Sequence, residues 1–311
     1  MLDAAADGGD SWGASELGGR FGPYFALDVL AAGGVAVGGA AAGGAAGSPP
    51  AGWSAVADLA DPSTGAFARR ADAVRSALAA GQGRSASAVD ERVAVSVAQL
   101  GLCARLVAPA LGLAVATGRP PVLVLELLYW QDQLGGPFPL ALGGLPAAVP
   151  SAVVPPAAVP PGTVPPGTVA LAADGAGPDG AGLAAVAEAD LLASGLVAGV
   201  LLPVVLPLVA AIERDHSVST KILWGNVASG LAGAAKMIGL AEPGLAGRAW
   251  GVVDALCAGD GPLRGAGARV TAGRFRRRSC CLLYRLALGE VGARGVPARN
   301  ALCEDCVLTP G

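Results

Sequence analysis

Between Leu191 and Ile212 the chain runs 22 residues without a charge, LLASGLVAGVLLPVVLPLVAAI. A stretch of that length has two homes, the core of a helical protein or the hydrocarbon of a bilayer, because a helix satisfies its own backbone groups in either. Pro203 and Pro207 oppose a simple span, since each removes a donor from the helix ladder and crowds the turn before it. The flanks oppose it as well: Glu188, Asp190, Glu213 and Asp215 are acidic, where spanning helices are flanked by Lys or Arg. A core helix is expected, with a membrane span kept as the alternative.

Apolar periodicity elsewhere is mostly helical. Val93, Val97, Leu100 and Leu106 mark one buried stripe, opened by a capping pattern at Ser87 and Asp90 and ended or kinked by Pro109. Ile222, Val227, Leu231, Ala234 and Ile238 mark another, with Gly239 as its stop. Trp53 to Ala80 also reads as helical. Gly135, Gly136, Pro137 and Pro139 punctuate LVLELLYWQDQLGGPFPLAL, so a tight turn leading to a short strand is expected there, with Trp130 as a packing residue. The fold class is mainly α with a small β component, α+β. Four regions follow: 1–145, mainly helical with a loose Gly/Ala-rich tract at 32–48; 146–168, a Pro-rich spacer; 169–270, helical; and 271–311, the cysteine-rich end.

Several function classes drop out. Charged residues are only 14% of the chain and its net charge is −3, so no nucleic-acid partner is expected. The Gly-rich tract lacks the Lys-Ser or Lys-Thr of a phosphate loop, and GAGARV lacks the third glycine of a dinucleotide fingerprint. His216, in the polar turn ERDHSVST, reads as a solvated residue, and Cys103 and Cys257 read as packing. The start, MLDAAADGGD, has no cationic segment followed by an apolar one, so a cytoplasmic, reducing compartment is expected.

Four of the six cysteines lie in the last tenth of the chain. Cys280 and Cys281 are adjacent, and Cys303 and Cys306 form CEDC, a knuckle spacing that lets two sulfurs point into one turn. Two identities compete: a structural zinc in a non-enzymatic scaffold or binding protein, and a 2Fe–2S cluster. A disulfide pair is a third option. Zinc sites usually space each ligand pair by two to four residues, which the vicinal pair does not do, and this favours the cluster. The basic run before it, Arg276, Arg277 and Arg278, with Arg285 beyond, would raise a cluster's potential or attract an anionic substrate; otherwise it is a solvated basic face.

RRRSCCLLYR followed by CEDC resembles the C-terminal 2Fe–2S motif of the FhuF-like ferric siderophore reductases. GPYFAL, RVAVSVAQLGLCARLVAPAL, GGPFPLAL and LWGNVASGLAGA are similar to segments of its actinobacterial members and occur in the family's order. The resemblance implies that Cys280, Cys281, Cys303 and Cys306 hold a 2Fe–2S cluster. It implies a cytoplasmic enzyme that reduces iron in imported ferric siderophores. Peripheral association at the inner face of the membrane stays open, and a membrane component of iron uptake is the alternative that a span at Leu191 to Ile212 would imply. With no flavin or nicotinamide fingerprint, electrons are expected from an external ferredoxin or NAD(P)H-dependent reductase. Two departures stand out. The family usually has about ten residues between the cysteine pairs, whereas residues 282–302 make 21 here. A tyrosine common two places after the vicinal pair is Leu283, although Tyr284 and Arg285 remain.

Overall fold

The computed structural model describes residues 16–30, 51–143, 178–271, 273–287 and 302–308. The tract 32–48 and the spacer 146–168 lie outside these residues, as does most of the loop between the cysteine pairs. Seven α-helices occur among the described residues: α1 (Leu17–Phe21), α2 (Ala66–Ala80), α3 (Glu91–Thr117), α4 (Pro178–Leu196), α5 (Leu206–Asp215), α6 (Thr220–Ala241) and α7 (Ala246–Ala258). A π-helical segment, Val197–Val205, joins α4 to α5. The strands are short: β1 (Asp28–Val29), β2 (Ser54–Ala55), β3 (Leu128–Trp130), β4 (Leu140–Leu142), β5 (Gly267–Thr271) and β6 (Arg274–Arg277). The first four form one sheet in the order β1-β4-β3-β2, with only β1 and β4 parallel; β5 and β6 form a separate antiparallel hairpin. The expected mainly helical α+β class is borne out.

α3 and α6 are the central pair. Their close approach depends on Gly230, where an added Cβ would meet the Ala104 backbone at 2.9 Å. One buried cluster draws on both sides of the Pro-rich segment, with Phe25, Leu106 and Leu111 beside Val205, Leu208, Val227 and Ile238. Arg105, 2% exposed, staples the N-terminal segment to this core by donating to the carbonyls of Tyr24, Ala26 and Phe138. Burial pulls its pKa down to about 10, with Asp28 opposing.

The apolar stretch Leu191 to Ile212 is helical throughout, and its prolines are accommodated by widening. Pro203 has no N–H to offer the Gly199 carbonyl four residues back. That carbonyl instead accepts from the Leu123 N–H at 2.8 Å, and the Leu206 N–H reaches back five residues to Leu201. Leu192, Leu196, Val200, Val204 and Leu208, at near-fourfold spacing, face the core, while Leu183, Val186, Leu191, Leu202 and Leu206 face outward. By length and composition alone, Glu91–Thr117 and Gly182–Asp215 could each cross a membrane. The first is embedded in the core, and the second is a core element along its inner face only.

Local expectations are corrected in several places. The cap of α3 is Asp90, whose carboxylate accepts from the Arg92 N–H at 2.9 Å; Ser87 lies outside in a 3-10 turn. The helix continues through Pro109 for two more turns. Residues 53–65 form β2 and two 3-10 turns rather than helix, because Pro62 and Gly65 interrupt the segment. Gly239 lies inside α6, where it lets Ala246 approach. His216 is not solvated: its side chain is 13% exposed, its ring packs edge-on against Phe67, and Nδ1 lies 3.6 Å from Glu91.

Candidate metal centre

β6 delivers the basic run to the site. Side chains alternate across a strand, so burial of Phe275 turns Arg277 inward with it. Arg277 is 1% exposed; Arg276 is half-buried and Arg278 exposed. The expectation that the run either docks substrate or tunes a cluster divides along the strand: burial removes Arg277 from docking and leaves it beside Cys303, where it can act on the sulfurs. Arg277 is a core residue, and only Arg278 of the run stands free of burial. Arg285 is committed too, donating to Asp90 at 2.7 Å and tying the turn after the vicinal cysteines to the start of α3.

The buried guanidinium is held from three directions. Nη1 donates to Asn226 Oδ1 at 2.6 Å, Nη2 to Cys303 Sγ at 3.0 Å, and Nε sits 3.2 Å from Asp305 Oδ2 as an ion pair without hydrogen-bond alignment. Behind it, the Asn226 amide donates to Ser96 and Gln99 on α3, and Gln99 donates on to Cys103 Sγ and the Leu223 carbonyl. Ser96, Gln99 and Asn226 are fully buried. A polar network of this kind inside an apolar helix pair carries a large penalty unless every member is satisfied. Burial works against the Arg277 charge, but Asp305, Cys281 and Cys303 together outweigh it, and its pKa lies above the ordinary range.

The two residues between Cys303 and Cys306 serve as anchors. Glu304 accepts from Lys236 on α6; Asp305 accepts from Ser229 on α6, and its carbonyl takes the Arg277 N–H at 3.0 Å. The knuckle closes with the Cys306 N–H on the Cys303 carbonyl at 3.1 Å. At the vicinal pair, Leu282 adopts the left-handed conformation at φ 69°, which is uncommon for a bulky residue. Its N–H then points to Cys280 Sγ at 3.3 Å, and the Leu308 N–H points to Cys306 Sγ at 3.4 Å. On α6, Gly225 leaves the room that the Ser279 hydroxyl occupies.

These anchors bring the two ends of the loop together. Cys281 Sγ and Cys303 Sγ are 3.5 Å apart. Cys281 also accepts from Cys280, and Cys280 lies within electrostatic reach of Cys306. Hydrogen bonding with Cys280 and Cys303, with Arg277 adding to it, holds the Cys281 thiol far below the ordinary range. The same contacts, with burial, push Cys280 and Cys303 up. Among the described residues no group of three or more His, Cys, Asp or Glu side chains is placed to hold a metal ion. Cys281 is in contact with Cys303 on one side and with Cys280 on the other. Beside Cys303 a cleft of about 250 Å³ is lined by Leu100, Lys236, Trp250, Arg274 and Phe275.

Cys103 and Cys257 are buried away from this set, as expected of packing residues. Sequence reasoning missed Ser96, Gln99, Asn226, Ser229 and Asp305. A usable signal existed: Gln99 and Asn226 each interrupt an otherwise apolar helical stripe. No family model, curated protein or solved structure matches the chain.

Proposed function

We propose that the chain is a ferric-siderophore reductase in which Cys280, Cys281, Cys303 and Cys306 hold a 2Fe–2S cluster. The observation that carries this is the meeting of Cys281 and Cys303 at 3.5 Å beneath a buried arginine. The donor set fits the group. All four side chains are thiols, two of them receive backbone N–H groups, and a fixed cation stands ready to offset thiolate charge. A four-thiolate zinc needs its sulfurs gathered about one ion. Adjacent thiols such as Cys280 and Cys281 lack the two-to-four-residue spacing usual for a structural zinc, and this favours the cluster over the zinc scaffold.

When bound, such a cluster supplies one electron at a time. The chain does the rest. Arg277 holds a positive charge against Cys303 and Cys281 in a position set by Asn226 and Asp305, so negative charge there is stabilised without rearrangement of the side chain. Leu282, 6% exposed and directly after the vicinal pair, and Phe275, 5% exposed and lining the cleft beside Cys303, make the surroundings of the cysteines apolar. Lys236 and Ser229 fix the knuckle so that the Cys303 and Cys306 sulfurs keep their direction.

The substrate is Fe(III) held by the anionic oxygen donors of a siderophore. One electron, drawn from an external ferredoxin or NAD(P)H-dependent reductase, converts it to Fe(II). Fe(II) has lower charge density and is bound far more weakly by the same oxygens. The released donors take protons from water, so no acid or base side chain is needed. The cytoplasm is the assigned compartment, since thiols stay reduced there.

A single-turnover experiment tests the activity. Anaerobically reduced protein is mixed with a ferric trihydroxamate complex and a ferrous-specific chromogenic chelator. One Fe(II) per reduced cluster is expected from the wild type and from Cys257→Ser, and none from Cys303→Ser. Equal losses in the two variants would refute the ligand assignment.

A further inference from the structure

A second cavity, of about 370 Å³, opens where the first turn of α6 meets the segment before β5 and the residues after β6. Thr220, Lys221, Trp224, Arg264, Arg278 and Ser279 line it, and no carboxylate does. Its size falls in the range of cavities that enclose small ligands. Lys221 and Arg278 form no ion pair among the described residues. Among the described residues Arg264 pairs with Asp260, an exposed i,i+4 contact of the kind that contributes little and yields to a competing anion. Ser279 lines the cavity, but its hydroxyl is buried against Gly225 on α6 and is not offered to a ligand.

Three cations and one tryptophan among the lining residues ask for a particular ligand. It carries concentrated negative charge on oxygen, which guanidinium and ammonium groups bind through charge-assisted hydrogen bonds. It also offers an aromatic ring to Trp224, since ring faces attract both one another and neighbouring cations. A neutral ligand would make no use of the charge, and an acidic protein surface would not enter a cavity of this size.

The geometry points to this cavity as the docking site for an anionic ferric chelate whose oxygen donors sit on aromatic rings, the ferric tris-catecholate class. Such a complex has three negative charges, from one Fe(III) and three doubly charged catecholates, and the three lining cations match them. Ser279 directly precedes Cys280 in the chain. A chelate bound there lies one residue from a cysteine of the proposed centre, where its Fe(III) can gain the single electron that the external donor supplies. The inference rests on the reductase activity proposed above.

Gallium(III) separates docking from reduction, because it forms the same tris-catecholate with the same charge and is not reduced. Binding of gallium tris-catecholate to the full holoprotein is followed by tryptophan quenching and isothermal calorimetry. Lys221→Gln and Arg278→Gln are each expected to weaken it about tenfold, about 1.4 kcal/mol. Binding of neutral gallium tris-hydroxamate should be the same in all three proteins. Unchanged tris-catecholate binding in both variants, or equal losses for both complexes, overturns the docking site. So does a result in which the variants lose only their affinity for an acidic ferredoxin. Tight, charge-dependent gallium binding by a protein that never reduces the ferric complex upholds the cavity as an anionic-chelate site and refutes the reductase activity instead.

Discussion

Replacing Arg277 by Met removes a charge from a place where almost nothing else can supply one. The side chain is 1% exposed and its partner Asp305 is 16% exposed, so the carboxylate left behind has little water to turn to. Breaking a buried pair by deleting one partner costs about 3–5 kcal/mol. The orphaned Asn226 carbonyl oxygen belongs to the same network, so its cost of about 1–3 kcal/mol overlaps with that figure rather than adding to it. A loss of about 4 kcal/mol is therefore expected, against a total stability of about 5–15 kcal/mol for domains generally. Arg277→Lys keeps the charge for Asp305 but cannot reach Asn226 and Cys303 in one planar fork, and a loss of about 1–3 kcal/mol is expected. Equilibrium urea unfolding under anaerobic reducing conditions measures both. If Arg277→Met lies within 1 kcal/mol of the wild type, Arg277 is not the buried keystone described above.

Two further outcomes are expected. Gly225→Ala drives a methyl group into the Ser279 hydroxyl and should destabilise the protein by about 1–3 kcal/mol. Adding Ser279→Ala removes the clash, and because alanine is the better helix former, the double variant should exceed wild-type stability by about 1 kcal/mol in the same unfolding assay. A double variant no better than Gly225→Ala alone would place the strain elsewhere. In native protein at pH 8, iodoacetamide should leave Cys103 and Cys257 unmodified, because burial pushes their thiols up to about 12 and about 11. Labelling of either at the rate of an unfolded control, read by mass spectrometry, would contradict their place in the core.

The chain's helical character and the clustering of its thiols were legible because both are carried by local pattern. The apolar run at Leu191 to Ile212 and the stripe through Val227 and Ile238 repeat at helical spacing, and adjacent cysteines need no tertiary knowledge to be seen. Where the prolines lead was not legible. The carbonyl freed by Pro203 finds its partner in Leu123, some eighty residues earlier, and no local pattern encodes that. The arginine run was read as a unit, for docking or for cluster tuning, although strand alternation, with Phe275 as the apolar reference, already separates Arg277 from its neighbours. His216 was misread because its turn is polar in sequence while Phe67, on a distant helix, covers its ring. The cationic cavity was invisible for a similar reason. Lys221, Arg264 and Arg278 lie in three separate segments, and the packing of α6 against the segment before β5 and the end of β6 brings them together.

The proposed centre is tested most directly on protein isolated without oxygen, by its visible and electron paramagnetic resonance spectra with iron, zinc and acid-labile sulfide measured on the same sample. A red-brown protein is expected, with iron and sulfide in equal amounts and a resonance that appears on one-electron reduction. A colourless protein carrying one zinc per chain, silent before and after reduction, would contradict it.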